Sequence, residues 1–425
     1  MLEIQVLRNK SEEVIQGLEK RNIQEARPTV EKILQLDEQR RNAIREADEA
    51  KQRMNQMAKS IGMLMKEGKK QEAEEAKAQT SRLKESIKEF DEKLKEIEGS
   101  IRELIITLPN VPHESVPAGK DAADNVTLYQ HDVEVAFSFS PLPHWELALN
   151  HTLINWELGA KITGSGFPVY IGKGAKLQRA LISFFLDMAN EAGYTEVQPP
   201  LMVNEDSAFA TGQLPDKDGQ MYHATEDNFF LIPTAEVPIT NLYRDNILAE
   251  DDLPIKNCGY TPCFRREAGS YGKDVKGLNR LHQFDKVELV QVVHPEKSYE
   301  VLEEMTNHVA GLLEALKLPY RKLILCTGDA TFTSAKTYDM EVFSAGQERW
   351  LEVSSISNFE TFQTNRLKLR FKNSNKKTQL AHSLNGSALA LPRILAAILE
   401  NNQQEDGSIS VPEVLRPYTR FDHIG

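Results

Sequence analysis

The chain has 425 residues, of which 40% are apolar and 27% are charged, and its formal net charge is −12. This length predicts two or three domains with a substantial core. The acidic balance argues against indiscriminate nucleic-acid binding, which needs a basic surface, but it leaves room for a specific RNA met by local basic patches. Residues 1–108 carry 22 basic and 22 acidic side chains, so the excess of acid lies in the remainder.

No apolar run is long enough to span a membrane, and the first residues, MLEIQVLRNK, lack the apolar core of a signal peptide. We therefore expect a cytoplasmic protein without a membrane partner. The three cysteines, Cys258, Cys263 and Cys326, form neither a disulfide framework nor a CxxC pair. Without an HExxH pattern either, no zinc is expected, and the cysteines are interpreted as buried small apolar residues.

Residues 30–108 contain no proline and carry the heptad pattern of a coiled coil. The clearer seam, with positions alternately three and four apart, is Ala73, Ala76, Thr80, Leu83, Ile87, Phe90, Leu94, Ile97, Ile101, Leu104 and Leu108. A weaker seam precedes it, at Ile44, Ala47, Met54, Ala58, Ile61 and Met65. A polar segment containing Gly68 separates them, which predicts an antiparallel helical hairpin about 50 Å long. From periodicity alone, a spacer or dimerising coiled coil is the commoner interpretation.

Pro109 and Pro112 end this helical run, and a linker-like segment follows. From residue 127 onward, short apolar runs and helical stretches mix without a regular βαβ rhythm, which predicts an α+β domain around an antiparallel sheet. Residues 163–174 resemble a phosphate-binding loop, but five residues separate Gly166 from Gly172, and neither Ser nor Thr follows Lys173. We interpret them as a turn-rich entry to a strand.

Residues 260–290 hold two apolar-flanked runs joined by a polar, glycine-containing segment, the pattern of two antiparallel strands with a long loop. Alternation would place Arg265 and Glu267 on one face of the first strand, and Phe284 and Glu288 on one face of the second. Such a wall suits a nucleotide bound to a small zwitterion, because Arg binds phosphate or carboxylate and Phe stacks on a base. A surface hairpin with one half-buried Phe is the alternative.

The segments FRREAG and RLHQFDKVE of this stretch resemble motif 2 of class II aminoacyl-tRNA synthetases, in the form found in seryl-tRNA synthetases. Four other segments are similar to elements of that family and follow in its order. They are residues 177–200 (motif 1), the TAE triplet 234–236, the ExxS element 352–355, and residues 384–401 (motif 3), with motif 2 at about 260–290. The specificity of the resemblance lies in the ordered set rather than in any single member.

The resemblance implies an α+β fold: a class II synthetase-like antiparallel β-sheet flanked by helices, preceded by an N-terminal antiparallel α-helical coiled-coil arm. Residues 1–108 would be the tRNA-binding arm and residues 109–425 the catalytic domain. The implied reaction is activation of L-serine with ATP to seryl-adenylate, followed by transfer to tRNA(Ser), and to tRNA(Sec) where that is present. ATP, Mg²⁺ and a homodimer built on motif 1 are implied as well.

Three alternatives stay open: another class II synthetase, a synthetase-like ligase that loads an amino acid onto a carrier protein, and a non-catalytic coiled-coil scaffold. The family's residues carry over by matching motifs. Candidate serine contacts are Thr234, Ala235, Glu236, Arg265, Glu288, Asn385 and Ser387. Candidate ATP contacts are Arg265, Arg266, Glu267, Phe284, Glu352, Val353, Ser354, Ser355 and Arg393.

Arg265 and Arg393 are the implied catalytic residues, and Glu352 and Ser355 the implied Mg²⁺ ligands. Pro392 is tolerable if it lies in the first turn of a helix. Candidate tRNA contacts are Arg40, Arg41, Arg45, Lys51 and Arg53 on the arm, with Lys273 and Lys276 in the loop 270–280. That loop is expected to be mobile until tRNA binds, because its residues offer little to bury. For each basic residue, a solvated charge is the alternative.

Overall fold

A computed structural model describes residues 1–133, 137–216, 219–267 and 276–425. Its contacts divide the chain into two compact units, Met1–Pro109 and Asn110–Gly425. Within the described ranges, every helix is too short or too polar to cross a bilayer. Cys258, Cys263 and Cys326 are free and buried, as predicted.

The first unit is helical and contains α1 (Ile4–Asn9), α2 (Ser11–Lys20), α3 (Ala26–Lys66) and α4 (Lys70–Ile105). The chain reverses between α3 and α4, where Gly68 has a left-handed φ of 75°. This confirms the predicted helical hairpin. It is somewhat longer than predicted, about 60 Å for α3 at 1.5 Å per residue, because Pro28 lies in the first turn of the helix rather than before it.

The seam of α4 runs as predicted, since the heptad positions from Ala73 to Leu104 are buried or half-buried. On α3 the prediction is partly wrong, because Ile44, Ala58 and Met65 are exposed. At Ile44, the large apolar residue beside the seam obscured the small Ala43 within it. The covered positions of α3 at heptad spacing are Ala43, Ala47, Ala50, Met54, Met57, Ile61 and Leu64.

The second unit combines short and long strands with helices. Its strands are β1 (Val126–His131), β2 (Ile154–Asn155), β3 (Val169–Tyr170), β4 (Thr195–Glu196), β5 (Met202–Val203), β6 (His223–Ala224), β7 (Phe229–Leu231), β8 (Ile247–Ala249), β9 (Ile255–Phe264), β10 (Gln283–Val293), β11 (Tyr320–Ile324), β12 (Lys336–Ser344), β13 (Arg349–Glu360), β14 (Arg370–Lys372), β15 (Thr378–Leu380), β16 (His382–Ala390), β17 (Ile409–Ser410) and β18 (His423–Ile424). Its helices are α5 (His144–Asn150), α6 (Trp156–Ile162), α7 (Lys173–Glu191), α8 (Glu205–Thr211), α9 (Glu236–Asn241), α10 (Ser298–Ala315), α11 (Thr361–Leu367), α12 (Leu391–Asn401) and α13 (Arg416–Thr419).

The main sheet has eight strands in the order β1-β11-β12-β13-β16-β10-β9-β4, and only the short β4 pairs with its neighbour in parallel. This confirms the antiparallel α+β fold. Apolar side chains of the sheet, such as Val287, Leu289 and Ile356, share one core with α7, α10 and α12. The predicted turn-rich segment 163–174 contains β3 and left-handed glycines, including Gly164 and Gly172.

Candidate functional site

One face of the main sheet carries most of the candidate residues. Paired residues on neighbouring antiparallel strands point to the same face, and so do residues two apart on one strand. Glu288 is paired with Ser387, and Asn385 with Ser357, so that three strands contribute to this face. The opposite face, with Val287 on β10, forms the apolar core. Following the register across the sheet places these side chains on the polar face: Phe284, Lys286, Glu288, Asn385, Ser387, Ser355, Glu352 and Asp339.

Arg265 and Phe284 form the aromatic and cationic wall expected of motif 2. Phe284 is paired with Cys263 across β9 and β10, and the backbone N–H of Arg265 donates to the carbonyl of His282 at 2.9 Å, so the ladder continues past the end of β9. The Arg265 guanidinium carbon lies 5.2 Å from the Phe284 ring centroid. Its Nε donates to the Pro233 carbonyl at 3.3 Å, and among the described residues the rest of the guanidinium fork has no hydrogen bond, so it is left for a ligand.

The neighbouring motif 2 candidates lie differently. Strand alternation wrongly predicted that Glu267 shares the face of Arg265, because β9 ends at Phe264 and Glu267 has a left-handed φ of 47°. Its carboxylate instead accepts from Arg280 at 3.2 Å. Arg266 is exposed, and its backbone N–H donates to the Gln220 carbonyl at 2.8 Å.

Four candidate serine contacts meet in one buried polar pocket. The Thr234 hydroxyl donates to Glu288 Oε2 at 2.8 Å. The Asn385 amide donates to Glu236 Oε2 at 3.0 Å and to Glu288 Oε1 at 3.1 Å, so it joins the two carboxylates. All four residues are less than 10% exposed. The pocket therefore offers two carboxylates and a hydroxyl to a small ligand that carries an ammonium and a hydroxyl group.

Two pocket residues were not among the predicted candidates. Lys286 donates to the Thr234 hydroxyl at 3.0 Å and forms an ion pair with Glu288, and Gln363 donates to Glu236 Oε1 at 2.6 Å. Strand alternation could have found Lys286, since it lies midway between two residues already assigned to the same face. Gln363 follows β13 on α11, and nothing in its local sequence indicated that it reaches the pocket.

Glu236 titrates near neutrality. Burial raises the pKa of its carboxyl to about 7, and repulsion from Glu288 adds to this, whereas Gln363, Lys286 and Arg265 act in the opposite direction. Its charge can therefore respond to a bound cation at physiological pH.

Two further serine candidates contribute differently. The Ala235 side chain packs in an apolar cluster with Ile239 and Val290. Ser387 is buried and is paired with Glu288 across β10 and β16. Its carbonyl accepts from the Ser354 hydroxyl at 2.6 Å.

A β-bulge gives the ExxS element its geometry. Residues three apart on a regular strand face opposite ways, but the pairing of β12 with β13 skips Val353. Glu352 and Ser355 consequently both face the polar side of the sheet. Their partners across the strand pair are Glu341 and Asp339. The side chains of Val353 and Ser354 are buried on the other side.

Oxygen donors fit a hard cation at this place. Burial raises the pKa of the Asp339 carboxyl well above its usual range, with Glu352 adding to the effect and the Ser355 hydroxyl opposing it. Within the described part of the chain, the buried Oδ1 of Asp339 has no hydrogen-bond partner. The same part of the chain contains no group of three His, Cys, Asp or Glu side chains arranged to hold a metal ion. A Mg²⁺ ion here would therefore need further ligands, such as water or phosphate.

Arg393 stands at the start of α12, and Pro392 lies in the first turn of that helix. The Nη1 of Arg393 donates to the Glu352 carbonyl at 2.6 Å and lies 3.7 Å from the Glu352 carboxylate. Its Nε donates to the Asn279 carbonyl at 3.3 Å. Arg393 thus joins the ExxS strand to the end of the motif 2 loop.

The candidate tRNA contacts on the arm differ in how free they are. Arg40 and Arg41 lie 2.8 and 3.3 Å from the carboxylate of Asp37, which is fully buried. Lys51 lies 3.4 Å from Asp91 on α4. The remaining arm candidates are exposed: Arg45 donates to Asn42 at 3.4 Å, and Arg53 forms a 3.9 Å ion pair with Glu49.

In the motif 2 loop, Lys276 Nζ lies 4.4 Å from the Trp145 ring centroid. Lys273, and with it residues 270–275 of the loop expected to be mobile, lies outside the described residues.

The antiparallel sheet, with the motif 2 arginine on one strand pair and the motif 3 arginine at the start of the following helix, defines a class II aminoacyl-tRNA synthetase. Residues 220–402 match the family described as the tRNA synthetase class II core domain (G, H, P, S and T), and residues 1–112 match the seryl-tRNA synthetase N-terminal domain. The match of both units disfavours the scaffold and carrier-protein alternatives.

Relatives that match over the whole chain show which family of class II synthetases the chain belongs to. The serine–tRNA ligase of Salinibacter ruber is 54% identical over 426 residues, which cover 100% of this chain and 99% of that protein. The serine–tRNA ligase of Chlorobaculum parvum is 48% identical over 429 residues, with 100% of both covered. Among solved structures, the seryl-tRNA synthetase of Pyrococcus horikoshii complexed with ATP is similar with a TM-score of 0.92 and 34% identity, covering 100% of this chain and 99% of that one. The chain therefore belongs to the seryl-tRNA synthetase family.

Proposed function

We propose that this enzyme activates L-serine with ATP to form seryl-adenylate and pyrophosphate, and then transfers the seryl group to tRNA(Ser), and to tRNA(Sec) where that is present. The observation that carries the proposal is the buried pocket of Thr234, Glu236, Glu288 and Asn385 beside Arg265. A cation with a hydroxyl group complements this pocket, and a carboxylate complements the arginine beside it.

The pocket accounts for the choice of serine over alanine. Thr234 and Glu236 would bind the ammonium group, together with Glu288, while Glu288, Asn385 and Ser387 would meet the hydroxyl. The Ala235 side chain is apolar and packs with Ile239 and Val290, so its contribution would come from the backbone. Without the hydroxyl, buried polar groups lose a partner, and such a site can discriminate by about 10⁴-fold or more. Threonine would be excluded by lack of space.

Arg265 would bring two anions into reacting distance. In-line attack of the serine carboxylate on the α-phosphorus needs positioning and neutralisation of negative charge more than acid–base chemistry. The free part of the Arg265 fork can bind both the carboxylate and the α-phosphate. Phe284 would stack on adenine, with Glu267 and Arg266 bordering the nucleotide. Arg393 would bind the γ-phosphate.

Glu352 and Ser355 would hold Mg²⁺, with Asp339 close enough in the register to support them. When bound, this ion would neutralise charge on the β- and γ-phosphates. Val353 and Ser354 direct their side chains into the protein interior, so contacts of these two residues with ATP would be made by the backbone.

The arm would bind tRNA through Arg45, Lys51 and Arg53. Arg40 and Arg41 are weaker candidates, because both pair with the buried Asp37 carboxylate. In the motif 2 loop, Lys273 and Lys276 would approach the acceptor stem.

We also propose a cytoplasmic homodimer. The buried free cysteines are compatible with a reducing compartment. The dimer is supported by the motif 1 resemblance and by β1, an edge strand of the main sheet on which Val126, Leu128 and Tyr129 are exposed. An uncovered apolar edge strand is a site of self-association.

Pyrophosphate exchange with each amino acid in turn tests the activation step. Exchange stimulated by serine alone is expected. Stimulation by another amino acid and not by serine would replace this proposal with a different class II synthetase.

Charging of tRNA(Ser) by the full chain tests the arm. The triple variant R45Q/K51Q/R53Q is expected to raise the KM for tRNA about tenfold, because each phosphate contact contributes to affinity. Its serine-dependent pyrophosphate exchange should stay at the level of the unaltered enzyme. An unchanged KM for tRNA would remove these residues from the binding surface.

A further inference from the structure

A fully buried carboxylate, Glu400, lies near the end of α12, the helix that begins with Arg393. It accepts from the backbone N–H groups of His144 and Gly346 at 2.9 and 3.0 Å, from the His144 ring at 2.7 Å, and from Gln347 at 3.1 Å. The Ser344 hydroxyl also donates to it. Burial disfavours the charged form of Glu400 and raises its pKa, whereas the hydrogen bonds from His144 and Ser344 favour the charged form and lower the pKa.

The His144 ring is held in one tautomer. Its Nε2 lies 2.8 Å from the backbone nitrogen of Leu278, and a backbone N–H can only donate, so Nε2 accepts and carries no proton. Nδ1 must then carry the proton, which it donates to Glu400. A neutral, fully buried imidazole therefore links α12 to the backbone at the end of the motif 2 loop.

The loop end is shaped to receive this ring. Gly277 has a left-handed φ of 65°, and a Cβ added there would lie 2.3 Å from His144 Nε2. Any other residue at this position would displace the ring or the loop. The next residue back, Lys276, lies over the Trp145 ring. Two consecutive residues of α5 thus contact two consecutive residues of the loop end.

Asn279, which follows, connects the loop end to the phosphate-binding side of the site. Its carbonyl accepts from Arg393 Nε at 3.3 Å, and its side-chain amide donates to Gln347 at 2.9 Å. Gln347 in turn donates to Glu400. These contacts connect Glu400 through Gln347 and Asn279 to Arg393. Glu400 and Arg393 lie on the same helix, about 10 Å or two helical turns apart.

We propose that His144 is a positioning residue for ATP: by accepting the Leu278 N–H while bound to Glu400, it fixes the Asn279 carbonyl and through it the Arg393 guanidinium. The inference rests on the proposed function, in which Arg393 binds the γ-phosphate. His144 contacts neither the nucleotide wall residue Phe284 nor the serine pocket in any described contact. Its influence should be confined to the outer phosphates.

Two isosteric variants separate the two halves of the link. In H144N the amide nitrogen takes the place of Nδ1, so the bond to Glu400 is kept and the acceptor for Leu278 is lost. In H144Q the amide lies at the place of Nε2, so an acceptor for Leu278 is kept. Equilibrium binding of ATP and of AMP is measured for the full chain with Mg²⁺ present. AMP lacks the phosphates that Arg393 would bind, so a general structural defect would weaken both ligands.

We expect H144N to weaken ATP binding about tenfold and AMP binding less than twofold, whereas H144Q should bind both within threefold of the unaltered protein. The matched control H151N changes the half-buried histidine that follows α5, whose ring contacts the Gly407 carbonyl, and should alter neither. Equal losses for ATP and AMP in H144N, equal losses in H144N and H144Q, or no loss in H144N would each overturn the proposal.

If H144N does not fold, Leu278 is replaced by leucic acid, so that an ester takes the place of its backbone amide. The ester has no N–H, so the hydrogen bond to His144 is lost while His144 itself is unchanged. The same selective loss of ATP affinity is expected, and its absence would overturn the proposal. Serine-dependent pyrophosphate exchange by the unaltered enzyme is measured in parallel. Its failure would refute serine activation, while the ATP and AMP comparison would still decide the role of His144.

Discussion

The buried polar pocket proposed for serine lies beside the proposed nucleotide wall, a name that here covers Arg265, Phe284 and Arg393, yet the two are stabilised in opposite ways. In the pocket, Asn385 holds Glu236 and Glu288 together by hydrogen bonds between buried side chains. On the wall, Arg265 is half-buried and has no ion-pair partner among the described residues, and Arg393 is held mainly by backbone carbonyls.

Because of this difference, substitutions in the pocket and on the wall should affect stability differently. The pocket's polar groups satisfy one another without a ligand, so a change there leaves a buried partner unpaired and should lower both serine binding and the free energy of unfolding. The wall's cations are available to anions. A change there should slow the reaction and leave stability nearly unaltered.

The largest effect is expected at Arg265. In R265A the serine carboxylate and the α-phosphate lose the cation between them, and pyrophosphate exchange should fall about 10³-fold, at the upper end of what one lost electrostatic contact costs. R265K keeps the charge but not the planar fork and should recover only part of the rate. The urea midpoint should stay unchanged in both. Full exchange activity in R265A would refute the proposed mechanism.

Asn385 tests the pocket side of the comparison. N385A removes the donor shared by two buried carboxylates, so kcat/KM for serine should fall about 100-fold and the free energy of unfolding by about 1–3 kcal/mol. The matched wall variant R393A should lower exchange without this loss in urea unfolding. If N385A loses activity at unaltered stability, the pocket does not stabilise the fold and the contrast with the wall disappears.

The predictability of the two regions differs too. Arg265 and Phe284 could be predicted from a local signal, an arginine and an aromatic residue on adjacent strands, whereas the role of Arg393 was implied by the motif 3 resemblance. The motif resemblance implied four of the pocket residues, but one of the two that were missed needed long-range information. Gln363 is brought to Glu236 from a helix more than 120 positions away, so no local pattern could indicate it.

Two features of the backbone could not be predicted, although Glu352 and Ser355 themselves were implied by the resemblance to the ExxS element. The ExxS spacing is meaningful only because Val353 is skipped in the pairing of β12 with β13, and a bulge cannot be read from alternation. Glu267 was assigned by alternation to a strand that ends before it. The helical arm, in contrast, was largely predicted, because heptad periodicity is local. Its errors are at Ile44, Ala58 and Met65, which are exposed one residue after the covered positions Ala43, Met57 and Leu64.

A smaller effect, on the KM for serine, is expected from the titration of Glu236 in the pocket. With a pKa of about 7, this carboxyl is neutral below and charged above neutrality. The serine ammonium favours the charged form, so the KM for serine should fall as pH rises from 6 to 8, by about tenfold if ionisation limits binding. Pyrophosphate exchange at saturating ATP measures it.

The groups that face the Glu236 carboxylate are Glu288, Lys286, Arg265, Gln363 and Asn385. Of these, Glu288 opposes its ionisation and the two cations favour it. In E236Q the pH dependence should flatten, and the KM for ATP should not follow the same profile in either protein. A KM for serine that is constant from pH 6 to 8 would show that the charge of Glu236 does not govern binding.

The smallest expected effect is at Phe284, whose ring lies beside the Arg265 guanidinium. F284L keeps apolar bulk but removes the flat face of the ring. The lost stacking should cost about 1 kcal/mol, which corresponds to a roughly fivefold rise in the KM for ATP. This is the lower end of the range for stacking of one base, because the ring is only half-buried. The KM for serine should not change, because Phe284 belongs to the wall, and the urea midpoint should not change, because leucine keeps the apolar contact that Phe284 makes with the core. F284Y, which keeps the ring, should bind ATP normally. If F284L instead raises the KM for serine as much as that for ATP, the two regions are coupled and cannot be treated as separate sites.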